Sequence, residues 1–236
     1  MAHPSFPLPT ASDAELLEFV LKNIDDSNQT GFFYGVIEVP ILSAEGIALL
    51  GARTSPITGQ GGSGVGSMHN YGTDIIQRFP RLCQELTERL NPLFDFLFRG
   101  APSPLGITLH SAHSIAYGMG PTRETALKLH VDDSKYTATI CVVATPDLCG
   151  TQLVFHGQQA LASPRLAEMQ EEYARARRSG GVDVKDTEDS RNHIVKLPRA
   201  GHALLHLGKH MHRTLPVEKG ERHSWVLWWH ELQSPC

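Results

Sequence analysis

No run of apolar residues in this 236-residue chain approaches the 18 or so needed to cross a bilayer. Residues 1–10 also lack the basic and apolar pattern of a secretory leader, so the expectation is a soluble intracellular protein, cytoplasmic or nuclear. Cysteine is scarce. Cys83, Cys141, Cys149 and Cys236 show no CxxC spacing, which argues against both a zinc knuckle and a disulfide framework and for reduced thiols. Neither sign of charge dominates: 21 basic and 25 acidic residues give a net charge of −4, with no electrostatic footprint for nucleic acid, which argues against it as a partner. Internal repeats are absent. A glycine-rich segment at 58–67 lacks the Gly-Lys-Ser/Thr ending that a phosphate-binding loop requires. Nothing in the sequence encodes an oligomeric state.

At this length one domain spanning 1–236 can bury roughly three quarters of its unfolded surface. Residues 1–106 read as a helical and strand support. Ser12-Asp13-Ala14-Glu15 is a capping box opening a helix to about residue 23, with Leu16, Leu17, Val20 and Leu21 inward. Residues 32–39 read as a strand and 52–68 as a Gly/Ser/Thr-rich loop, either plain surface or a flap over substrate. Residues 73–98 are helical in period, broken by Pro80 and Pro92. From 107 the text turns to strands over 107–117, 126–132, 136–144, 151–155, 193–197, 202–207 and 223–229. With 214–217 they make eight, enough for the two four-stranded sheets of a double-stranded β-helix, or jelly roll: a mainly β core with N-terminal helices packed on one sheet. Residues 157–191 form an insertion carrying a surface helix over 164–178.

Thirteen histidines make chance motifs easy, so spacing must discriminate. His130 and Asp132 stand at i and i+2, which on a strand aims both side chains into one cavity. Two imidazoles and one carboxylate hold one face of an iron(II) ion and leave the other positions for an oxidant and a co-substrate. The third ligand must come from a distant strand returning to the same rim. His212 is the candidate, because Leu215-Pro216-Val217, Gly220 and, ten residues on, Arg222 follow it. His206, sharing that region, competes for the role; His110, His113, His193 and His223 are assigned nothing.

In combination, His-x-Asp, a distal His and an Arg ten residues beyond resemble the 2-oxoglutarate and iron(II)-dependent dioxygenases, particularly their prolyl 4-hydroxylase-like branch. The resemblance covers about 107–230 and is strongest at His130-Val131-Asp132-Asp133-Ser134 with residues 150–155, and at 202–229. It implies Fe(II) on His130, Asp132 and His212, with 2-oxoglutarate and O2 as co-substrates and ascorbate as an accessory reductant. Arg222 would pair with the far carboxylate of 2-oxoglutarate in a planar, bidentate way that a lysine could not reproduce. Tyr117 matches a tyrosine that reaches 2-oxoglutarate in similar enzymes. Thr137 and Thr139 share one strand face and could donate to the co-substrate, and Trp228 matches an aromatic substrate-pocket position. Related halogenases carry Gly or Ala at the carboxylate position, so Asp132 favours hydroxylation. The implied substrate is a protein or peptide side chain, commonly proline, with a free amino acid or small metabolite as the alternative. Two other classes stay open: a non-catalytic metal-binding jelly-roll sensor, against which Arg222 argues, and a cupin-like zinc hydrolase, for which adjacent Asp132 and Asp133 make a poor acid–base pair.

Overall fold

The computed structural model describes residues 2–24, 29–53, 71–72, 75–100, 106–120, 123–179, 192–195 and 199–232. The capping box forms: the Ser12 hydroxyl accepts from the Glu15 amide while the Glu15 carboxylate accepts from the Ser12 amide at 2.8 Å. Helix α1 (Asp13–Lys22) buries Leu16, Phe19 and Val20. Leu21, expected inside, is 37% exposed, and Phe19 takes that place.

The single strand expected over 32–39 is instead two elements. Helix α2 (Gln29–Phe33) ends in a turn through Gly35, and β1 (Ile37–Pro40) follows. Gly35 has φ +79°, and a Cβ there would lie 2.4 Å from the Gln159 carbonyl oxygen, so this turn needs glycine on both counts. A short, mostly apolar stretch carries no period that would reveal such a break. Helix α3 (Ala44–Arg53) has no counterpart in the sequence reading, and β2 (Tyr71–Gly72) lies beyond the 58–67 segment, which falls outside the described residues.

Residues 75–99 form α4 (Ile75–Arg78), α5 (Pro80–Phe94) and a π-helical turn over Asp95–Arg99 that closes on Gly100 in the left-handed region. Pro80 sits in the first turn of α5, where a missing N–H is harmless. Pro92 does not break α5; the backbone widens into the π turn just after it, the usual local response to a lost ladder bond.

Strands β3 (Ile107–Tyr117), β4 (Leu127–His130), β5 (Tyr136–Ala144), β6 (Cys149–Gly150) and β7 (Leu153–His156) precede helix α6 (Pro164–Ser179). After it come β8 (Asn192–Val195), β9 (His202–Leu207), β10 (His212–Thr214), β11 (Val217–Lys219) and β12 (Arg222–Glu231). One sheet has the order β1-β9-β5-β12-β3-β2 and faces a second of order β4-β10-β7-β8; β11 and β6 pair separately. The expected four-and-four arrangement is present as β9-β5-β12-β3 and β4-β10-β7-β8, except that β10 covers His212–Thr214 in place of the strand expected over 214–217, and Val217 opens β11 instead. The first sheet grows to six because β1 and β2 satisfy its two edges. The core is that of a double-stranded β-helix. Residues 180–191 of the expected insertion lie outside the described residues.

Alternation along β12 divides its duties. Trp225, Leu227 and Trp229 join the core under the helices, where Phe94 stacks on Tyr136 at 4.8 Å and Trp229 donates its indole N–H to Thr87. Arg222, Val226 and Trp228 point the other way, into the space between the sheets. Helices therefore close one face of the large sheet and leave the opposite face free to build a site. No helix among the described residues is long and apolar enough to cross a membrane.

Candidate metal centre and its cavity

Registry brings the distal histidine home: β10 lies between β4 and β7, placing His212 directly opposite His130 on one side and Phe155 on the other. His130 ends β4, whereas Asp132 lies two residues beyond it, outside the strand that was expected to continue to 132. Its direction is set by other means, the Asp132 amide donating to the Gly208 carbonyl at 2.9 Å. Asp133, its neighbour, is exposed.

The three side chains converge. Asp132 Oδ1 stands 3.5 Å from His130 Nε2 and 3.9 Å from His212 Nε2, and one donor atom from each residue falls within 4.8 Å of the other two. His130 Nδ1 lies 2.7 Å from the Lys128 carbonyl and His212 Nδ1 2.8 Å from the His210 carbonyl. A carbonyl oxygen only accepts, so each Nδ1 carries a proton, and in the neutral ring Nε2 is the nitrogen left with a lone pair for a metal. This is the donor arrangement a divalent first-row metal takes, with the outer ring nitrogens held from behind.

Electrostatics agree. Burial pushes the Asp132 carboxyl up, but the His130 hydrogen bond, the neighbouring His212 and His206, and the Thr137 hydroxyl outweigh it and hold the group well below the ordinary carboxylate range. At His130 burial lowers the pKa, and the Asp132 and Lys128 hydrogen bonds overcome it to give a net rise. At His212 burial prevails over the Asp132 charge and the pKa falls.

The rival histidines stand behind this cluster. The His206 ring meets that of His212 edge-on at 4.9 Å and 68°, its Nδ1 turned to the Leu207 carbonyl at 3.0 Å. Burial takes His206 down to about 3, and His210, whose Nε2 donates to the Gly157 carbonyl, down to about 4. Phe155 stacks on the His212 ring at 5.2 Å. His206, His210 and Phe155 thus wedge His212 from its rear.

In front of the cluster lies a partly open cavity whose wall holds His130, Asp132 and His212. Arg222 is in its wall with 0% exposure, its guanidinium carbon 4.2 Å above the Tyr117 ring centroid. Among the described residues neither Nε nor Nη1 has a hydrogen-bond partner. Burial lowers the Arg222 pKa, opposed by Tyr117 and Cys141. A buried guanidinium with open donors invites an anion, since a desolvated and unanswered charge costs several kcal/mol. The Tyr117 hydroxyl is 3.4 Å from Thr214 Oγ1, and both residues, with Thr139, line the same cavity.

Thr137 departs from expectation. It is fully buried, and its hydroxyl donates to Asp132 Oδ2 at 2.7 Å, so its only proton is engaged and it is not a donor to a co-substrate. Trp228 lines the cavity, its indole nitrogen unpartnered and its ring edge-on to His113 at 4.6 Å. Thr214, His113, Ile115 and Val226 also line the cavity, unassigned in the sequence. Stepping by two from Tyr117, His212 and Arg222 along their strands would have reached Ile115, His113, Thr214 and, two steps on, Val226.

Comparison with known proteins places this architecture. No family model matches the chain. The fold is shared with 2-oxoglutarate and iron-dependent oxygenases of solved structure. The epimerase SnoN from nogalamycin biosynthesis superposes with a TM-score of 0.55 at 15% identity over 92% of this chain and 83% of that one. SnoN has also been solved with Fe3+, α-ketoglutarate and nogalamycin RO. HygX from Streptomyces hygroscopicus, with nickel and 2-oxoglutarate bound, gives a TM-score of 0.53 at 12% identity over 89% of each chain. In sequence, the 2-oxoglutarate and iron-dependent oxygenase domain-containing protein ICU11 of Arabidopsis thaliana is 27% identical over 164 residues, 69% of this chain and 35% of its own length. The chain spans about a third of the length of the curated relatives it matches.

Proposed function

We propose that the protein is an iron(II)- and 2-oxoglutarate-dependent oxygenase that hydroxylates a C–H bond of a peptide or protein side chain, proline foremost. The observation that carries the reading is the pairing, in one cavity, of the His130–Asp132–His212 cluster with a wholly buried guanidinium whose Nε and Nη1 have no partner among the described residues. A metal site alone has no use for that second feature, whereas a dicarboxylate held at both ends needs both.

His130 Nε2, His212 Nε2 and Asp132 Oδ1 would hold the iron, Asp132 neutralising one of its charges. Arg222 would take the far carboxylate of 2-oxoglutarate in a charge-assisted pair, with the Tyr117 and Thr214 hydroxyls beside it and Thr139 on the adjoining wall. Bound there, the iron and its co-substrate supply the oxidising chemistry, in which dioxygen and 2-oxoglutarate give succinate, carbon dioxide and one hydroxyl on the substrate. The protein's share is positioning and exclusion of water. Ile115, Leu127, Leu153 and Val226 supply apolar wall, and Trp228 and His113 line the same cavity, His113 close enough to feel the Asp132 charge.

A peptide substrate is supported by the edge of the smaller sheet. Strand β4 pairs on one side only among the described residues, and Leu129 and Val131, on either side of His130, are about half exposed. An extended peptide could lie along that edge. A small metabolite is the second reading, favoured by SnoN, whose fold is shared and which binds nogalamycin RO.

The test is succinate formation from 2-oxoglutarate by protein loaded anaerobically with iron(II) and then given oxygen, with peptide pools and metabolite pools in parallel. Succinate rising with a peptide pool is the expected result. A rise with metabolites alone would move the substrate to the second reading, and iron binding without succinate under any condition would leave a sensor.

A further inference from the structure

Asp132 is held by more than its place in the chain. Its Oδ1 faces the two histidine nitrogens, while Oδ2 accepts from Thr137 Oγ1 at 2.7 Å. Thr137 Oγ1 is in turn 2.8 Å from Ser134 Oγ. Thr137 has one hydroxyl proton and an ionised carboxylate can only accept, so that proton goes to Asp132 and Ser134 must donate to Thr137. The direction of the chain Ser134 to Thr137 to Asp132 is thereby fixed. On the backbone side the Asp132 amide donates to Gly208, and Gly208 packs so tightly on Ser134 that a Cβ would come within 2.3 Å of Ser134 Oγ.

We propose that Thr137, oriented by Ser134, is a positioning residue that occupies the second oxygen of Asp132 and so makes the carboxylate offer a single oxygen to the metal. The inference rests on the metal-centre reading above. A carboxylate free to rotate could supply both oxygens and fill a position that the co-substrate or oxidant needs. With Oδ2 tied at 2.7 Å, that rotation breaks a charge-assisted hydrogen bond in a buried site.

Cobalt(II) binding to the metal-free protein, followed by visible absorption and by titration, tests this without turnover. T137V keeps the shape of a fully buried side chain and removes its donor; T137S keeps the donor. The expected result is that T137V still binds cobalt(II) but shows shifted and weakened visible bands, as the freed carboxylate adds a second oxygen to the metal, and that T137S restores the wild-type spectrum. A Thr137 that only packs would lower the melting temperature and leave the bands unchanged, which overturns the proposal. Should T137V fail to fold, S134A at its partly buried position decides: shifted bands support the proposal and wild-type bands overturn it. Wild-type protein that binds no cobalt(II) would overturn the metal-centre reading itself, whereas the same bands from wild type and T137V overturn only the role of Thr137.

Discussion

Replacing Arg222 with methionine should strengthen the metal-loaded protein in the absence of co-substrate and abolish its response to 2-oxoglutarate. The guanidinium is fully buried, and among the described residues Nε and Nη1 are unpartnered and no carboxylate offsets the desolvation penalty that folding carries. That penalty is several kcal/mol for an effectively isolated ion, and the contact with the Tyr117 ring returns about 2 kcal/mol of it. R222M has similar length, loses both, and gains net stability of about 1–2 kcal/mol, or roughly 3–6 °C in Tm for a chain of this size. Wild-type protein at about 100 times its Kd for 2-oxoglutarate gains about 2.7 kcal/mol, roughly 6–10 °C. Loss of charge-assisted bonds worth about 1.5–3 kcal/mol each removes most of that response. Thermal unfolding of nickel(II)-loaded protein, with and without 2-oxoglutarate, reads both effects, and the two proteins should exchange rank when the ligand is added. An R222M protein that melts lower than wild type in the absence of ligand, yet still gains stability from 2-oxoglutarate, would refute the reasoning and make Arg222 a packing residue.

Three further outcomes follow from the geometry. His130→Ala and His212→Ala should each abolish iron(II) binding in equilibrium dialysis while leaving the far-ultraviolet spectrum intact; stoichiometric iron in either would remove that residue from the site. His206 at about 3 and His210 at about 4 titrate far below the ordinary value of 6.5, so the unfolded chain takes up protons that the native one refuses. Their contribution to stability is therefore complete above pH 6.5 and lost as pH falls toward 3–4, at up to about 1.4 kcal/mol per pH unit for each histidine. Denaturant titrations across that window should fall less steeply for His206→Met, and an unchanged slope would count against the buried neutral assignment. Gly208→Ala places a Cβ 2.1 Å from the Ser134 carbonyl oxygen. It should destabilise by about 1–3 kcal/mol, seen as a lower midpoint in urea, and a wild-type midpoint would show that the backbone there yields freely.

The parts of this fold that could be read in the chain are those governed by a local period. Helix α1 announced itself through Ser12 and Glu15, and the strands from Ile107 onward through alternation, because both signals sit within a few residues of the structure they produce. The edge strands β1 and β2 could not be read as extensions of the large sheet, since that depends on pairing Ile37 with Leu205 and Tyr71 with Ile115 across long stretches of chain. The split at Gly35 was hidden for the opposite reason: it is local, but what demands glycine is the Gln159 carbonyl more than a hundred residues away. The site shows the same division. Spacing brought His130, Asp132, His212 and Arg222 forward as candidates, and the structure sets all four around one cavity. Strand alternation likewise grouped Thr137 with Thr139, yet only Thr139 lines that cavity. Asp132 lies beyond the end of β4, where alternation no longer governs direction, and the turn from Asp132 to Tyr136 carries its carboxylate back onto the Thr137 hydroxyl. A period of two fixes which face a side chain takes; the partner of its hydroxyl depends on how the connecting turn closes, and that information is in the turn's conformation, outside the repeat.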